Sequence, residues 1–297
     1  MDIFSHNPVL SSLFKHHGKR LAKDEGLSPE VIEEALAAGR MVLLGNPAHR
    51  SGLPILVGQP SRVKINANIG ASPLNHCVKT ELEKLDIAIQ AGADTVMDLS
   101  IAGDLRALRA DMLARCPAPL GTVPMYAVGQ VYLDSERDPA TMDPEELFKE
   151  IEQQAEQGVD FMTVHCGLTR RGAEWALDGG RLMGIVSRGG AILARWMTKN
   201  SRENPLLTDF DRIVDIALRH NVTLSLGDGL RPGAGCDAGD AAQFEEVLVL
   251  GRLVRHARSR GVQCMVEGPG HVRLHEVESQ IRTIKRLTDE APLYVLG

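Results

Sequence analysis

From Val63 onward the chain alternates short apolar runs with longer charged stretches of helical period. The runs are "VKINANIG" at 63–70, "TVMDLS" at 95–100, "TVPMYA" at 122–127, "FMTVHC" at 161–166, "GIVSRG" at 184–189, "TLSLGDG" at 223–229, "VQCMVEGPG" at 262–270 and "PLYVLG" at 292–297. Between them lie segments such as "VKTELEKLDIAIQAG", "PEELFKEIEQQAEQG" and "DAAQFEEVLVLGRLVRHARSRG". Short runs bounded by Gly and Pro read as strands, and apolar residues three or four apart read as helices. Eight strand candidates with seven helical stretches between them predict an α/β fold with a parallel sheet and right-handed crossovers. Eight such units over residues 61–297 are the size of a (β/α)8 TIM-type barrel.

Residues 1–60 break the rhythm. Ser28-Pro29 predicts an N-cap and first helical position, with a helix through "EVIEEALAAG" that stops at Gly39. The following "MVLLGNPAHRSGLPILVGQP" reads as a hairpin-containing flap. The expected division is therefore a short N-terminal segment, 1–60, and a barrel domain, 61–297. An open doubly wound sheet is the competing architecture. Two near-matches to a dinucleotide fingerprint exist. "GDGLRPG" carries one residue too many between its second and third glycines, and no strand runs into "GAGCDA" at 233–238.

The strand candidates end in chemistry-bearing residues: Asn66 and Asn68, Asp98 and Ser100, Tyr126, His165, Ser187 and Arg188, Asp228 to Arg231, then Glu267 and His271. In a parallel barrel all these ends converge on one face, where active sites are built. Each residue also has a structural use. Asn68 can satisfy a turn, Asp98 and Asp228 can cap helices, His165 can be a bonded core histidine, and the two arginines can pair with acids. Ser187-Arg188-Gly189-Gly190 ahead of a helix nevertheless offers free amides beside a guanidinium, which suits a phosphate. Asp228-Gly229-Leu230-Arg231 adds a second guanidinium. A small phosphorylated, nitrogen-rich substrate follows from these residue types. His271 and His275 have H-x-x-x-H spacing, but Gly-Pro-Gly before His271 places it in a loop with His275 on the next helix; His271 with Glu267 does not complete a metal shell.

Composition narrows the class. The chain is 43% apolar and 24% charged, as in globular enzymes, and its net charge of −6 with 4% aromatics argues against a nucleic-acid surface. No apolar stretch reaches the roughly 18 residues of a membrane span. Five scattered cysteines without C-x-x-C spacing, and an N-terminus lacking a leader pattern, predict a cytoplasmic protein.

"KINANIGASP", "GADTVMDLS", "GTVPMY", "TVHCG", "GIVSRGG", "SLGDGLRPG", "AAQFEE", "EGPGH" and "PLYVLG", in this order, resemble the phosphomethylpyrimidine synthase family of thiamine biosynthesis. Its close relative 5-hydroxybenzimidazole synthase, which supplies the lower base of cobamides, shares nearly all of them. The resemblance implies that S-adenosylmethionine, cleaved at a [4Fe–4S] cluster, drives rearrangement of 5-aminoimidazole ribotide to hydroxymethylpyrimidine phosphate. It implies substrate contacts from Asn68, Met97, Tyr126, His165, Ser187, Arg188, Gly189, Asp228, Gly229, Leu230, Arg231, Glu267 and Tyr294, with Glu267, Asp228 and His165 as catalytic groups. His271 would be one of two zinc ligands, and the protein would pair as a homodimer. The family's C-x-x-C-x-x-x-x-C cluster motif and second zinc histidine lie beyond the eighth strand. This sequence has neither, so the expectation is a substrate-binding barrel without its cluster domain, with an apolar face left exposed where an eighth helix would pack. A non-catalytic ribotide-binding module is the remaining alternative.

Overall fold

The computed structural model describes residues 3–296. It opens with three helices, α1 (Ile3–His6), α2 (Pro8–Glu25) and α3 (Pro29–Ala37), and an antiparallel hairpin of β1 (Met41–Leu44) and β2 (Ile55–Gly58). Ser28 caps α3 by accepting the Val31 amide, and Pro29 occupies its first turn. A seven-stranded parallel sheet follows, its strands ordered as they come in the chain. They are β3 (Asn66–Ile69), β4 (Thr95–Asp98), β5 (Leu120–Thr122), β6 (Phe161–Val164), β7 (Thr223–Leu226), β8 (Cys264–Gly268) and β9 (Leu293–Val295). The intervening helices are α4 (Val78–Gln90), α5 (Leu105–Arg115), α6 (Pro124–Asp134), α7 (Pro144–Gln157), α8 (Arg170–Asp178), α9 (Arg188–Asn200), α10 (Pro205–Thr208), α11 (Phe210–His220), α12 (Ala241–Ser259) and α13 (Val277–Leu287).

Strict strand order without a reversal removes the doubly wound alternative, whose ligand crevice requires a switch point. Instead the sheet curls. Side chains alternate along each strand, and neighbours in register share a face. Val96, Leu120, Val164, Leu224, Leu226, Cys264 and Val266 are buried on the outer face beneath the helices. The inner face carries Asn66, Asn68, Met97, Phe161, Thr163, Ser225, Met265, Glu267 and Tyr294. Its curvature brings first and last strands together: the Asn66 amide donates to the Tyr294 hydroxyl at 2.8 Å, and that hydroxyl donates to Asn68 Oδ1 at 3.2 Å.

Two expected strands differ. Residues 184–189 form no strand, and β6 pairs directly with β7. Gly184 adopts φ +60° and Ser187 already caps α9, so too few residues remain to run a ladder. The third strand ends at Thr122, and Pro124 opens α6, which places Tyr126 in the first turn of a helix rather than at a strand end. The proline supplies the fixed φ of a first helical residue.

The hairpin closes the N-terminal end of the sheet. Leu43 exchanges two hydrogen bonds with the Gln263 side chain, at 2.7 and 3.0 Å. Asp160 accepts the amides of Asn46 at 2.8 Å and Leu120 at 2.7 Å, and binds His49 Nδ1 at 2.6 Å. Beside the seam between β3 and β9 lies a cavity of about 1370 Å³ lined by residues including Ile65, Phe161, Met265, Arg286 and Val295; Ile65 and Val295 are exposed there. No helix among the described residues is long and apolar enough to cross a membrane.

Candidate active site

The C-terminal ends of β6, β7 and β8 bring together residues about a hundred positions apart. His165 follows β6 and is fully buried against Gly189, where any side chain would run into its ring. Gly190 is equally constrained, since a Cβ there would strike the Gly229 backbone. These two glycines let the start of α9 lie directly on the loop after β7. Ser187 accepts the Gly190 amide at 3.2 Å, and the amides of Arg188 and Gly189 face out of the helix end without intrahelical acceptors.

The two arginines divide the alternatives raised by the sequence. Arg231 pairs with Asp228 at 3.0 Å. Arg188 is exposed, lies 5.3 Å over the Tyr126 ring, and has no acidic partner among the described residues. An unpaired guanidinium beside a helix N-terminus is an anion site.

Glu267 faces the same space from β8. Its carboxyl accepts from Thr163 Oγ1 and from the Asp228 amide, both at 3.2 Å. Burial raises Asp228 well above the usual carboxylate range, and the charge of Glu267 raises it further while Arg231 opposes. Burial also raises Glu267, again against Arg231. Two acids that burial pushes up beside one guanidinium favour keeping a proton between them more than free carboxylates do. Burial, with help from the Arg231 charge, pushes His165 down to about 3, so its imidazole is neutral. His165 Nδ1 and Asp228 Oδ2 have no hydrogen-bond partner among the described residues. Buried polar atoms are seldom left unpaired, so these two point to a ligand as their partner.

The remaining expected residues fall around this centre. Met97 is buried on the inner face, in register with Asn68. Asn68 and Tyr294 meet at the seam, and burial pushes the Tyr294 hydroxyl up to about 12. Leu230 is fully buried and Gly229 lies against α9. Asp98 instead accepts the Ser100 amide at 2.9 Å, a turn-forming role. His271 sits exposed in the loop after β8, and His275 is exposed in the short 3-10 turn that follows. Among the described residues the one cluster of three metal-capable side chains is Glu152, Glu156 and His220, on α7 and α11 in the outer helical layer. It does not include His271. Sequence reasoning missed Thr163, Arg181 and Glu246; the quoted "AAQFEE" held the last, but nothing in a helical motif indicates which acid turns inward.

The cysteines do not form a cluster site. Cys116, Cys166 and Cys264 are buried, and burial pushes their thiols up, Cys116 to about 11 and Cys264 to about 12. Iron–sulfur ligation needs thiolates, and only Cys77 and Cys236 are exposed.

Comparison with known proteins agrees with the motifs. The family model described as "Radical SAM ThiC family" matches residues 10–297. Phosphomethylpyrimidine synthase of Thermoanaerobacter sp. (strain X514) is 46% identical over 289 residues, covering 97% of this chain and 67% of the relative. That of Moorella thermoacetica is 48% identical over 279 residues, covering 94% and 65%. The chain thus spans about two thirds of the length of these curated relatives. Among solved structures, dihydropteroate synthase from Thermus thermophilus aligns with a TM-score of 0.45 at 14% identity, covering 86% of this chain and 76% of that one. By its family match and its identity to these synthases, the chain belongs to the radical SAM ThiC family.

Proposed function

We propose that this chain forms the ribotide-binding part of a phosphomethylpyrimidine synthase, which converts 5-aminoimidazole ribotide to hydroxymethylpyrimidine phosphate in thiamine biosynthesis. The observation that carries the proposal is the unpaired Arg188 at the start of α9, over the Tyr126 ring, whose hydroxyl also feels the charges of Arg231, Glu267 and Asp228. In this reading Arg188 and the first amides of α9 hold the phosphate. Asp228 and Glu267 bind the ribose hydroxyls or the amino-imidazole and hold the protons that move there. Neutral His165 offers Nδ1 to the imidazole edge, and Met97 and Tyr126 exclude water. Asn68 and Tyr294 hold the far end of the ligand at the seam, and the curled sheet is the greater part of a TIM-type barrel.

When bound, a [4Fe–4S] cluster and S-adenosylmethionine supply a radical in this family. The five cysteines of this chain do not fit the cluster, and His271 does not complete a zinc shell, so no step is assigned to either. A homodimer and a cytoplasmic location belong to the same reading.

Calorimetry with 5-aminoimidazole ribotide tests it. Binding at micromolar affinity that Arg188→Ala weakens at least about tenfold is expected. No binding, or an Arg188→Ala variant equal to wild type, overturns the assignment. Anaerobic reconstitution of this chain with iron, sulfide and S-adenosylmethionine should then give ribotide binding without turnover; formation of phosphopyrimidine or 5-hydroxybenzimidazole would overturn the reading that its cysteines do not hold the cluster.

A further inference from the structure

The loop carrying Asp228 and Arg231 is gripped on both sides of a single residue, Leu230. On one side Glu246 of α12, fully buried, accepts the Leu230 amide at 2.7 Å. On the other, Arg181, from the segment after α8, donates to the Leu230 carbonyl at 2.7 Å and to the Arg231 carbonyl at 3.5 Å. Arg181 is itself fixed by Asp240, with bonds of 2.6 and 2.8 Å, and its side chain is only 2% exposed. Asp240 is also the N-cap of α12, accepting the Gln243 amide at 2.8 Å. Both grips therefore trace back to the first turns of one helix.

We propose that Glu246 and Arg181 are positioning residues: they hold the Leu230 peptide groups between them and thereby fix where the Asp228 carboxyl and the Arg231 guanidinium stand in the site. Neither need touch the ligand. A backbone loop bonded at both amide and carbonyl to buried side chains cannot rotate a peptide without losing one of these bonds, and the one from Arg181 is charge-assisted. The free Oε1 of Glu246 matters here. Burial pushes this carboxyl up to about 8, with the Glu245 charge raising it and Arg181 opposing, and Asp228 and Cys166 are the other titratable groups that feel it. At neutral pH Glu246 is thus an acid whose Oε1 can carry the proton while Oε2 accepts from the loop. Glutamine copies that state and alanine does not.

The test compares amide exchange and ribotide affinity in the full chain. Glu246→Ala and Arg181→Met should each speed exchange at residues 229–231 about tenfold, leave Phe161–Val164 at the wild-type rate, and weaken 5-aminoimidazole ribotide binding about tenfold. Glu246→Gln should restore both within about threefold at pH 7. Unchanged exchange at 229–231, equal loosening of Phe161–Val164, or unchanged affinity in a loosened loop would each overturn the proposal. If Glu246→Ala does not fold, Arg181→Met and Arg181→Lys carry the same test from the carbonyl side. The affinity measurement rests on the ribotide reading above. If wild type binds no ribotide, that reading falls while the exchange rates still decide the clamp.

Discussion

The two ends of the parallel sheet both bury polar side chains, and they treat them in opposite ways. At the N-terminal end His49, Asp160, Asn46, Gln263 and Asn221 bond one another and the backbone, and His49 has acceptors at both ring nitrogens: the Asp160 carboxylate at 2.6 Å and the Cys116 carbonyl at 3.0 Å. Burial works against a charged His49, but the bonds to Asp160 and its charge outweigh it and raise the histidine above its usual value. At the C-terminal end His165 and Asp228 each keep an unpartnered atom. Satisfied networks add rigidity, whereas orphaned buried groups destabilise the free protein and are kept where a ligand completes them. One end of the sheet holds the fold and the other is built to be finished by something else.

The largest expected effect breaks the first half of this contrast. Asp160→Ala would leave the buried His49 ring and the Asn46 and Leu120 amides without their acceptor, costing about 3–5 kcal/mol, read as a fall in the urea midpoint. Ribotide affinity of the folded fraction should be unaltered, since the change lies at the far end of the strands. Next, Arg188→Ala should weaken ribotide binding about tenfold to a hundredfold while moving stability by no more than about 0.5 kcal/mol. A matching loss of stability would show that Arg188 serves the fold.

The pH profile sharpens the comparison further. His165 is depressed to about 3, so its contribution is complete above the ordinary histidine value and is lost as pH falls from there toward 3. Glu246 is raised to about 8, so its contribution is complete below the ordinary carboxylate value and is lost as pH rises toward 8. Asp228 and Glu267, both raised, add to that alkaline loss. Above the ordinary histidine value, where the His165 contribution is complete, urea titrations should therefore show stability sloping down toward higher pH, and Glu246→Gln should reduce the change between pH 5 and 8 by on the order of 1–3 kcal/mol. An unchanged slope would mean Glu246 is ionised throughout. The smallest effect belongs to His271→Ala, which should leave the melting temperature within about a degree, because the side chain is exposed and makes no hydrogen bond or ion pair among the described residues.

Much of this arrangement was legible before the fold. Apolar runs capped by Asn68, His165, Asp228 and Glu267 announced strand ends converging on one face, because strand termini in a parallel sheet are where side chains leave the core. Two segments misled for physical reasons. "GIVSRG" has a strand's composition, but strandhood depends on a neighbour to pair with, which composition does not encode. "TVPMYA" contained its own correction in Pro124, a helix-opening residue outweighed by the apolar run around it. The bonds of Glu246 and Arg181 to a backbone peptide were illegible altogether, since they depend on the rotation of α12 and on a loop whose course no periodicity reveals.

The seam between β3 and β9 has a consequence for how the chain is made. Asn66 and Tyr294 are 228 residues apart, and Leu43 of the hairpin meets Gln263 across 220. Neither fastening can form until Gln263 and Tyr294 have been synthesised, so the early strands wait with an unpaired edge while later ones are made. Contacts of such sequence separation slow folding and leave intermediates open to aggregation. A nascent chain of this protein is therefore expected to lean on chaperones until β9 is made.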